Sequence, residues 1–374
     1  MSATFTGLQL QSTILNSGTL AVTLVPQTLD EPKPDEVVIA VQATPINPSD
    51  IGLLFGAADM QTATTDRANK CLRAVVPERA MAGMRARIDQ PLAVGNEGAG
   101  VVIAAGKQAV DLMGKTVAVM PGGMYAQYRT VKASDCLVLP EGTPASAAAS
   151  CFINPLTALG FMETMKREGH KALVHTAAAS NLGQMLNRLC QADGVDIVNI
   201  VRKPEQVALL KGLGATHVYD STAPTFMAEL TEAIAATGAT LAFDATGGGT
   251  LANQILTAME GALSRTLTTY SRYGSPTKKQ VYLYGGLDTR PTELTRSYGM
   301  SWAIGGWLVF QYLPQLGEAA NKALRQRVVD ELTTTFASQY ANEISLSDMI
   351  QTEHVAMYNQ RATNLKVLVN PSKG

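Results

Sequence analysis

The chain has 374 residues, of which 46% are hydrophobic and 16% are charged, so it is long enough for two domains and too apolar to be disordered. Its net charge is −1 and it has no basic tail, which argues against a surface for nucleic acid or anionic membranes. Residues 1–20 lack the pattern of a signal peptide, and the apolar stretch 302–310 is about half the length that crosses a bilayer. We therefore expect a cytoplasmic protein without membrane or nucleic-acid partners.

The cysteines and histidines do not indicate metal ligation. The four cysteines form no C-x-x-C pair, and the four histidines form no H-E-x-x-H pair. His175 falls in an apolar run and is interpreted as a core histidine. The sequence predicts neither a disulfide framework nor a zinc site.

The first 150 residues read mostly as short strands separated by Gly and Pro clusters, which predicts a β-rich domain. The predicted strands are 20–25, 36–43, 98–105, 116–120 and 125–131. Residues 57–90 interrupt this rhythm with a polar, arginine-rich segment that lacks strand signals, and we interpret its arginines as a solvated face.

From Ala145 onward strands and helices alternate, which is typical of parallel βαβ units and a doubly wound sheet. The predicted strands are 173–176, 196–201, 217–220, 240–245 and 280–284, and the predicted helices are 146–151, 157–165, 182–192, 204–213, 226–236 and 251–259. Residues 264–279 read as a loop, 300–312 as an edge strand, and 364–369 as a last strand that returns to the β-rich domain. The expected fold class is α/β, with a Rossmann domain over 153–312 and a β-rich domain built from 1–152 and 313–374.

The stretch 170–190 predicts a strand, a tight turn of small residues and an amphipathic helix that begins near Leu182. Set against the pattern G-x-G-x-x-G, the glycine positions hold Ala178, Ser180 and Gly183. These residues are small enough for a diphosphate to approach the backbone N–H groups at the start of the helix. Taken alone, the stretch fits an ordinary strand–turn–helix without a ligand equally well.

The second strand of a dinucleotide fold ends at the adenosine ribose, where a carboxylate binds a free 2′-hydroxyl and a basic residue accommodates a 2′-phosphate. Arg202 and Lys203 directly follow this strand, and no carboxylate intervenes before Glu205. A planar guanidinium and a second positive charge favour NADP(H). The alternative is that both residues only decorate the start of a helix, where positive charge is mildly unfavourable.

Several segments carry recognisable motifs in a fixed order. They are Asn47-Pro48-Ser49-Asp50 (N-P-x-D), 95–100 (G-H-E-G-x-G), 114–119 followed by 122–128 (G-x-x-V, then G-x-[YF]-A-E-Y), 154–158 (N-x-x-T-A) and 210–218 (L-x-x-L-G-A-x-x-V). In this order they resemble the medium-chain dehydrogenase/reductase superfamily, in its zinc-independent quinone-reductase and enoyl-reductase branch. The resemblance covers nearly the whole chain and implies that the β-rich domain is a GroES-like catalytic domain.

Two departures from the zinc enzymes of that family argue against a catalytic metal. Asn47 and Asn96 stand at the two clearest ligand positions, and neutral amides are poor zinc ligands. The four-cysteine structural lobe of the zinc enzymes is absent as well. We therefore expect hydride transfer to a quinone or an α,β-unsaturated carbonyl, because positioned hydrogen-bond donors can stabilise the charge that develops on the acceptor oxygen.

The resemblance also implies site residues. Together with the turn and the basic pair, the expected cofactor-binding residues are Asn154, Thr157, Ala178, Ser180, Asn181, Leu182, Gly183, Arg202, Lys203, Ser221, Gly247, Gly248, Tyr284, Gly285, Gly286, Asn364 and Lys366. Asn47, Asp50 and Tyr125 are the candidate catalytic residues, although Asp50 and Tyr125 also have a purely structural interpretation.

The preferred interpretation is an NADPH-dependent reductase that acts on a small-molecule quinone or enone. The resemblance further implies a homodimer formed by edge strands, for which 302–307, with its two tryptophans, is the candidate segment. The altered glycine loop leaves open a second interpretation, a catalytically silent relative that binds a nucleotide for a structural or regulatory purpose.

Overall fold

The computed structural model describes residues 4–120, 122–360, 363 and 366–373. Its strands are β1 (Phe5–Leu15), β2 (Thr19–Leu29), β3 (Glu36–Pro45), β4 (Asp59–Asp66), β5 (Cys71–Val75), β6 (Leu92–Ala93), β7 (Gly98–Ala105), β8 (Thr116–Val119), β9 (Tyr128–Lys132), β10 (Leu137–Val138), β11 (Leu173–His175), β12 (Ile197–Val201), β13 (His217–Asp220), β14 (Leu241–Asp244), β15 (Gly247–Gly249), β16 (Lys279–Leu283), β17 (Asp288–Thr292), β18 (Trp302–Gly306), β19 (Asn342–Ile344) and β20 (Val367–Val369). Its helices are α1 (Pro48–Phe55), α2 (Glu78–Met81), α3 (Ala145–Ala148), α4 (Ile153–Arg167), α5 (Asn181–Ala192), α6 (Pro204–Gly212), α7 (Phe226–Thr237), α8 (Leu251–Ser264), α9 (Val309–Leu316), α10 (Glu318–Asp330) and α11 (Thr352–Tyr358). The chain divides into two compact units, one formed by 1–153 with 327–374 and the other by 154–326.

The first unit is built from two mostly antiparallel sheets. One has the strand order β4-β5-β2-β1-β6, and the other has the order β10-β8-β7-β3-β20-β19, with β9 also paired to β3. Alternating residues of β3 (Val37, Ile39 and Val41) enter a buried apolar cluster, as expected for strands with one face on a core. Because β20 pairs with β3, residues 367–369 return to a sheet that is otherwise built from residues 36–138 and β19.

The second unit contains a six-stranded parallel sheet with the order β13-β12-β11-β14-β16-β18. The chain winds outward from β11 in both directions, so the strand order reverses between β11 and β14. Ligands of doubly wound sheets bind beyond the carboxyl ends of the strands at this point of reversal. The expected α/β class with a parallel Rossmann sheet is confirmed.

The prediction that residues 57–90 lack strands is wrong. They contain β4 and β5, which extend the first sheet from β2. Cys71, Leu72 and Ala74 of β5 are buried, whereas β4 is a polar strand at the edge of the sheet. An edge strand needs little apolar surface, which is why its sequence carries no strand signal. Arg87 of this segment is half-buried and donates to the carbonyl oxygen of Leu53 at 2.9 Å, so it is not a purely solvated residue.

Helix α4 begins at Ile153, four residues before the predicted start. Pro155 lies in its first turn, where a missing N–H group leaves no hydrogen bond unmade. Among the described residues, 145–167 is the stretch long and apolar enough to pass as a membrane span, but 83% of its apolar window is buried inside the protein. A core helix passes the same test.

The second unit extends to 326, whereas the predicted Rossmann domain ends at 312. Asn321 of α10 donates to the carbonyl oxygen of Leu313 at 2.7 Å, which ties α10 to α9. Trp307 is buried rather than presented to a partner, because its ring packs on Phe161 and its indole N–H donates to Thr164 Oγ1 at 3.0 Å. The prediction that both tryptophans serve a dimer interface is therefore wrong for Trp307.

Candidate active site

The turn between β11 and α5 has the geometry of a phosphate-binding turn. Ser180 caps α5, and its Oγ accepts from the N–H of Gly183 at 3.1 Å. Ala177 adopts a φ of 50°, a left-handed conformation that a side chain rarely takes. A Cβ atom at Gly183 would collide with the carbonyl oxygen of Ala178, so only glycine fits there. The turn thus brings together the predicted residues Ala178, Ser180, Asn181, Leu182 and Gly183 at the positive end of a 12-residue helix.

The carboxyl end of the neighbouring strand β14 is stabilised by a buried carboxylate, which the sequence does not predict as a site residue. Asp244 is the last residue of β14, is fully buried and accepts from the hydroxyl of Thr176 at 2.6 Å. It also accepts from the N–H groups of Thr246 at 2.8 Å and Gly247 at 3.1 Å. In return, Thr176 Oγ1 accepts from the N–H of Ala245 at 2.8 Å. This network joins the carboxyl ends of β11 and β14 and fixes the chain that leads into β15.

The predicted residues Gly247 and Gly248 lie in β15, which pairs with β17. A Cβ atom at Gly248 would collide with the carbonyl oxygen of Arg290, so close pairing of the two backbones requires glycine. Arg290 Nη2 lies 2.6 Å from Asp288 Oδ2. Hydrogen bonds from Arg290, together with the positive charge of Arg202, lower the pKa of Asp288 to about 2. Arg202 therefore lies close enough to this exposed pair to act on its charge.

Arg202 and Lys203, which follow β12, are both exposed, so their side chains are accessible to a phosphate group. The backbone N–H of Arg202 donates to Gln206 Oε1 at 3.0 Å. Lys203 Nζ lies 3.9 Å from Glu205 Oε1, and both side chains are exposed, so this pair is weak. Ser221 follows β13, and its N–H donates to the carbonyl oxygen of Val201 at 2.8 Å, which places it beside the end of β12.

Tyr284, Gly285 and Gly286 follow β16 at the same edge of the sheet. The hydroxyl of Tyr284 lies 2.8 Å from His175 Nε2, and the two rings stack. Burial lowers the pKa of His175 to about 3, so this histidine is neutral and structural. Burial raises the pKa of Tyr284, which keeps its hydroxyl protonated. Asn154 and Thr157 occupy the first turn of α4 and are buried.

In the first unit, Asn47 and Asp50 lie together at the start of α1. Asp50 Oδ2 accepts from the N–H of Asn47 at 2.9 Å, and Oδ1 accepts from the N–H of Asn96 at 2.8 Å. The Asn47 amide donates to Glu97 Oε1 at 2.8 Å. Glu97 Oε2 accepts from the N–H groups of Phe152 at 2.8 Å and Ile153 at 2.9 Å. Asp50 and Glu97 are both fully buried, so this cluster holds two carboxyl groups away from water.

The charges of this cluster act on one another. Burial raises the pKa of Asp50 to about 7, and burial also raises the pKa of Glu97. The side chain of Lys366 faces both carboxyl groups, and burial lowers the pKa of Lys366 to about 8 although both carboxylates oppose that change. Tyr125 is fully buried, and its hydroxyl donates to the carbonyl oxygen of Pro45 at 3.0 Å. Burial holds the pKa of Tyr125 well above its usual value.

The first unit thus brings together Asn47, Asp50 and Lys366, three of the predicted site residues. Glu97 lies in the motif 95–100, in which only its neighbour Asn96 occupies a zinc-ligand position of the zinc enzymes. The sequence therefore does not predict Glu97 as a site residue. Tyr125 is engaged with the backbone, which matches its structural interpretation. Asn364 lies outside the described residues. Within the described ranges no group of three or more His, Cys, Asp or Glu side chains is suited to hold a metal ion, and metal-free chemistry stays a prediction.

Comparison with known proteins relates both units to dehydrogenases. Residues 33–141 match the alcohol dehydrogenase GroES-like domain, and residues 182–263 match the zinc-binding dehydrogenase domain. The mitochondrial enoyl-[acyl-carrier-protein] reductase of Xenopus tropicalis is 29% identical over 200 residues, which are 51% of this chain and 49% of that protein. The chain therefore matches about half the length of this relative.

Two solved structures share the whole fold. A Mesorhizobium loti protein assigned as an NADPH:quinone reductase has a TM-score of 0.71 and 25% identity, and the match covers 99% of each chain. The complex of Etr1p with NADP and crotonyl-CoA has a TM-score of 0.67 and 20% identity, and the match covers 98% of this chain and 100% of that one. Because the identity to Etr1p is only 20%, the similarity to that structure shows a shared fold alone.

Proposed function

Because the chain belongs to the medium-chain dehydrogenase/reductase superfamily and resembles its quinone-reductase-like branch, we propose that it is an NADPH-dependent reductase of quinones or α,β-unsaturated carbonyl compounds. The observation that carries the proposal is the pairing of a glycine-restricted turn at the start of α5 with the exposed Arg202 and Lys203 at the end of β12. In a doubly wound sheet these two places receive the diphosphate and the adenosine ribose.

The residues of the second unit fit NADP(H). The α5 N-terminus offers backbone N–H groups and a positive dipole to the diphosphate. Arg202 directly follows β12 and offers a planar fork to the 2′-phosphate, and the first acidic residue after the strand is Glu205, which lies in α6. When bound, the nicotinamide supplies the hydride.

The residues of the first unit fit an acceptor that develops negative charge on oxygen. Asp50 holds the backbone N–H of Asn47 and Glu97 accepts from its side-chain amide, so the amide is fixed in orientation before any substrate arrives. Fixed donors stabilise a developing oxyanion without reorganisation at the moment of reaction. Quinones, enones and enoyl thioesters share this requirement, and the names of the relatives support both quinone and enoyl acceptors.

A catalytically silent nucleotide-binding protein is the second candidate. It is favoured by Ala178 and Ser180 standing where glycines are usual, since both reduce the room for a diphosphate. We also propose that two copies pair through β18, which lies at the edge of the parallel sheet.

The discriminating experiment mixes the purified protein with NADPH and follows absorbance at about 340 nm with 1,4-naphthoquinone, a simple enone or crotonyl-CoA. Saturable NADPH oxidation with at least one acceptor supports the reductase. Tight NADPH binding without turnover of any acceptor supports the silent relative. Stoichiometric zinc in the active protein would contradict a metal-free reaction.

A further inference from the structure

Within the described part of the chain, two buried polar atoms in the Asn47 cluster have no hydrogen-bond partner. They are the amide oxygen Oδ1 of Asn47 and the ammonium nitrogen Nζ of Lys366. Asn47 is only 2% exposed, so water does not reach its side chain freely. A buried acceptor and a buried charged donor without partners are costly, and native proteins keep such groups mainly where they have a function. Both atoms belong to the surroundings of Glu97, which bonds Asn47 directly and attracts Lys366.

No residue that the structure describes accepts a hydrogen bond from Lys366 Nζ. Glu97 is already occupied by three N–H groups, from Asn47, Phe152 and Ile153. Asp50 is occupied by two backbone N–H groups. Lys366 Nζ also lies 5.7 Å from the centre of the Tyr340 ring. The hydroxyl group of Tyr340 lies 2.8 Å from Ser150 Oγ. These neighbours hold the ammonium group electrostatically but leave its hydrogen-bonding capacity for a ligand.

We propose that Lys366 is a catalytic residue that donates a hydrogen bond to the carbonyl oxygen of the acceptor. The sequence predicts Lys366 as a cofactor-binding residue, so the role proposed here is a different one. The inference rests on the proposed reductase function, because it assigns the group that polarises the acceptor in that reaction. A positive charge beside Glu97 would then do what a metal ion does in zinc enzymes, namely stabilise the oxygen that gains charge.

The electron balance of the step is simple. Hydride adds to the β-carbon of the enone, the C=C electron pair shifts to form an enolate, and the C=O bond becomes a C–O bond whose oxygen is held by Lys366. A proton from solvent, delivered through the ammonium group or directly, completes the saturated carbonyl product. The net reaction consumes NADPH, one proton and the acceptor, and it yields NADP⁺ and the reduced acceptor.

The first test measures turnover in Lys366→Gln, Lys366→Met and Lys366→Arg. We expect the two neutral variants to lose about 100-fold or more in kcat with 1,4-naphthoquinone, while the Kd for NADPH changes less than threefold. Lys366→Arg keeps the charge and should retain part of the activity. The matched control is Lys373→Gln, an exposed lysine on the same C-terminal segment, which should change neither quantity. A kcat within threefold of the parent in folded Lys366→Gln and Lys366→Met overturns the proposal.

The pH profile gives a readout that a merely structural lysine would not affect. With the pKa of Lys366 near 8, kcat should fall on the alkaline side of that pH in the parent protein. Asp50, Glu97 and Tyr340 are the other titratable groups facing Lys366; burial raises the pKa of Asp50 to about 7 and also raises the pKa values of Glu97 and Tyr340. Lys366→Arg should move the alkaline limb beyond pH 10, because arginine stays charged. An unchanged alkaline limb in Lys366→Arg overturns the proposal.

A binding probe separates this inference from the proposed function. 4-Nitrophenol absorbs near 400 nm only when ionised, and a hydrogen-bonded ammonium group favours the ionised form. We expect the parent to bind it and lower its apparent pKa, and Lys366→Gln to bind it at least tenfold more weakly. If no acceptor is reduced but this Lys366-dependent binding persists, the reductase proposal fails while the oxygen site stands. If Lys366→Gln weakens only NADPH binding, Lys366 belongs to the cofactor and the inference fails.

Discussion

The hydroxyl of Thr176 and the carboxylate of Asp244 are joined by a 2.6 Å hydrogen bond between the ends of two adjacent parallel strands. The same carboxylate holds the backbone of Thr246 and Gly247, so one buried side chain sets the direction of the chain after β14. Because the strand order reverses between these two strands, the bond lies at the place where a doubly wound sheet holds its ligand.

We predict that Thr176→Val destabilises the protein by about 1–3 kcal/mol. The substitution keeps the shape of the side chain but removes the donor to buried Asp244 and the acceptor for the N–H of Ala245. Denaturant unfolding measures the free energy. The control Thr222→Val removes a hydroxyl that donates to an exposed carboxylate at 2.8 Å, and it should cost less than about 0.5 kcal/mol. Equal effects of the two variants would contradict the role of the buried bond.

We predict that Gly183→Ala disturbs the phosphate turn. The new methyl group meets the backbone carbonyl of Ala178, which cannot move without shifting the strand end, so a cost of roughly 1–3 kcal/mol is expected. NADPH affinity should fall as well, because the start of α5 must move. Gly212→Ala is the matched control, since nothing lies within 4 Å of its Cβ position at the end of α6. It should leave NADPH binding unchanged.

We predict that Arg202→Ala weakens NADPH binding by about 1.5–3 kcal/mol, the amount typical of a lost charged hydrogen bond. NADH binding should change little, because NADH has no 2′-phosphate. Fluorescence titration with both nucleotides measures the difference. The control is Lys211→Ala, which removes an exposed positive charge from the last turn of α6, the helix that follows Arg202 and Lys203. If both nucleotides lose affinity equally, Arg202 does not contact the 2′-phosphate.

We predict that Asp50 makes the protein less stable as the pH rises from about 4 to 7. The pKa of Asp50 is about 7 in the folded state and 3.8 when unperturbed, so the folded state binds the extra proton between these values. Stability therefore falls with rising pH by up to roughly 1.4 kcal/mol per pH unit in that window and then levels off. Unfolding of the parent and of Asp50→Asn across this range measures the contribution. If the free energies of unfolding of the parent and of Asp50→Asn change with pH in the same way, the prediction is wrong.

The strands that the sequence predicts well are those with a clear apolar pattern. All five residues of β12 are buried, and its run of β-branched residues is visible without a structure. In contrast, β15 consists of three glycines, and its pairing with β17 depends on close backbone approach, which has no periodicity in the sequence. The sequence does not predict the edge strand β4 for a related reason, because the residues of an edge strand need not be apolar.

The candidate site divides in the same way. The phosphate turn is predictable because its residues are neighbours in sequence and its geometry is local. Asp244 is a single acidic residue after a short strand, and its partner Thr176 is 68 positions away, so nothing local distinguishes it. Likewise, Lys366 lies near Glu97 only because the chain returns to the first unit, and its lack of an acceptor among the described residues is a property of the folded environment.

The pairing of β20 with β3 has a consequence for biosynthesis. Residues 367–369 of β20 insert between β3 and β19, so the first unit stays incomplete until these residues have left the ribosome. The second unit, in contrast, is continuous and can assemble while translation proceeds. Until residues 367–369 have emerged, only the end of β3 formed by Thr44 and Pro45 lacks its partner, because β9 pairs with residues 36–40, and chaperones that shield unpaired strands would act at that end.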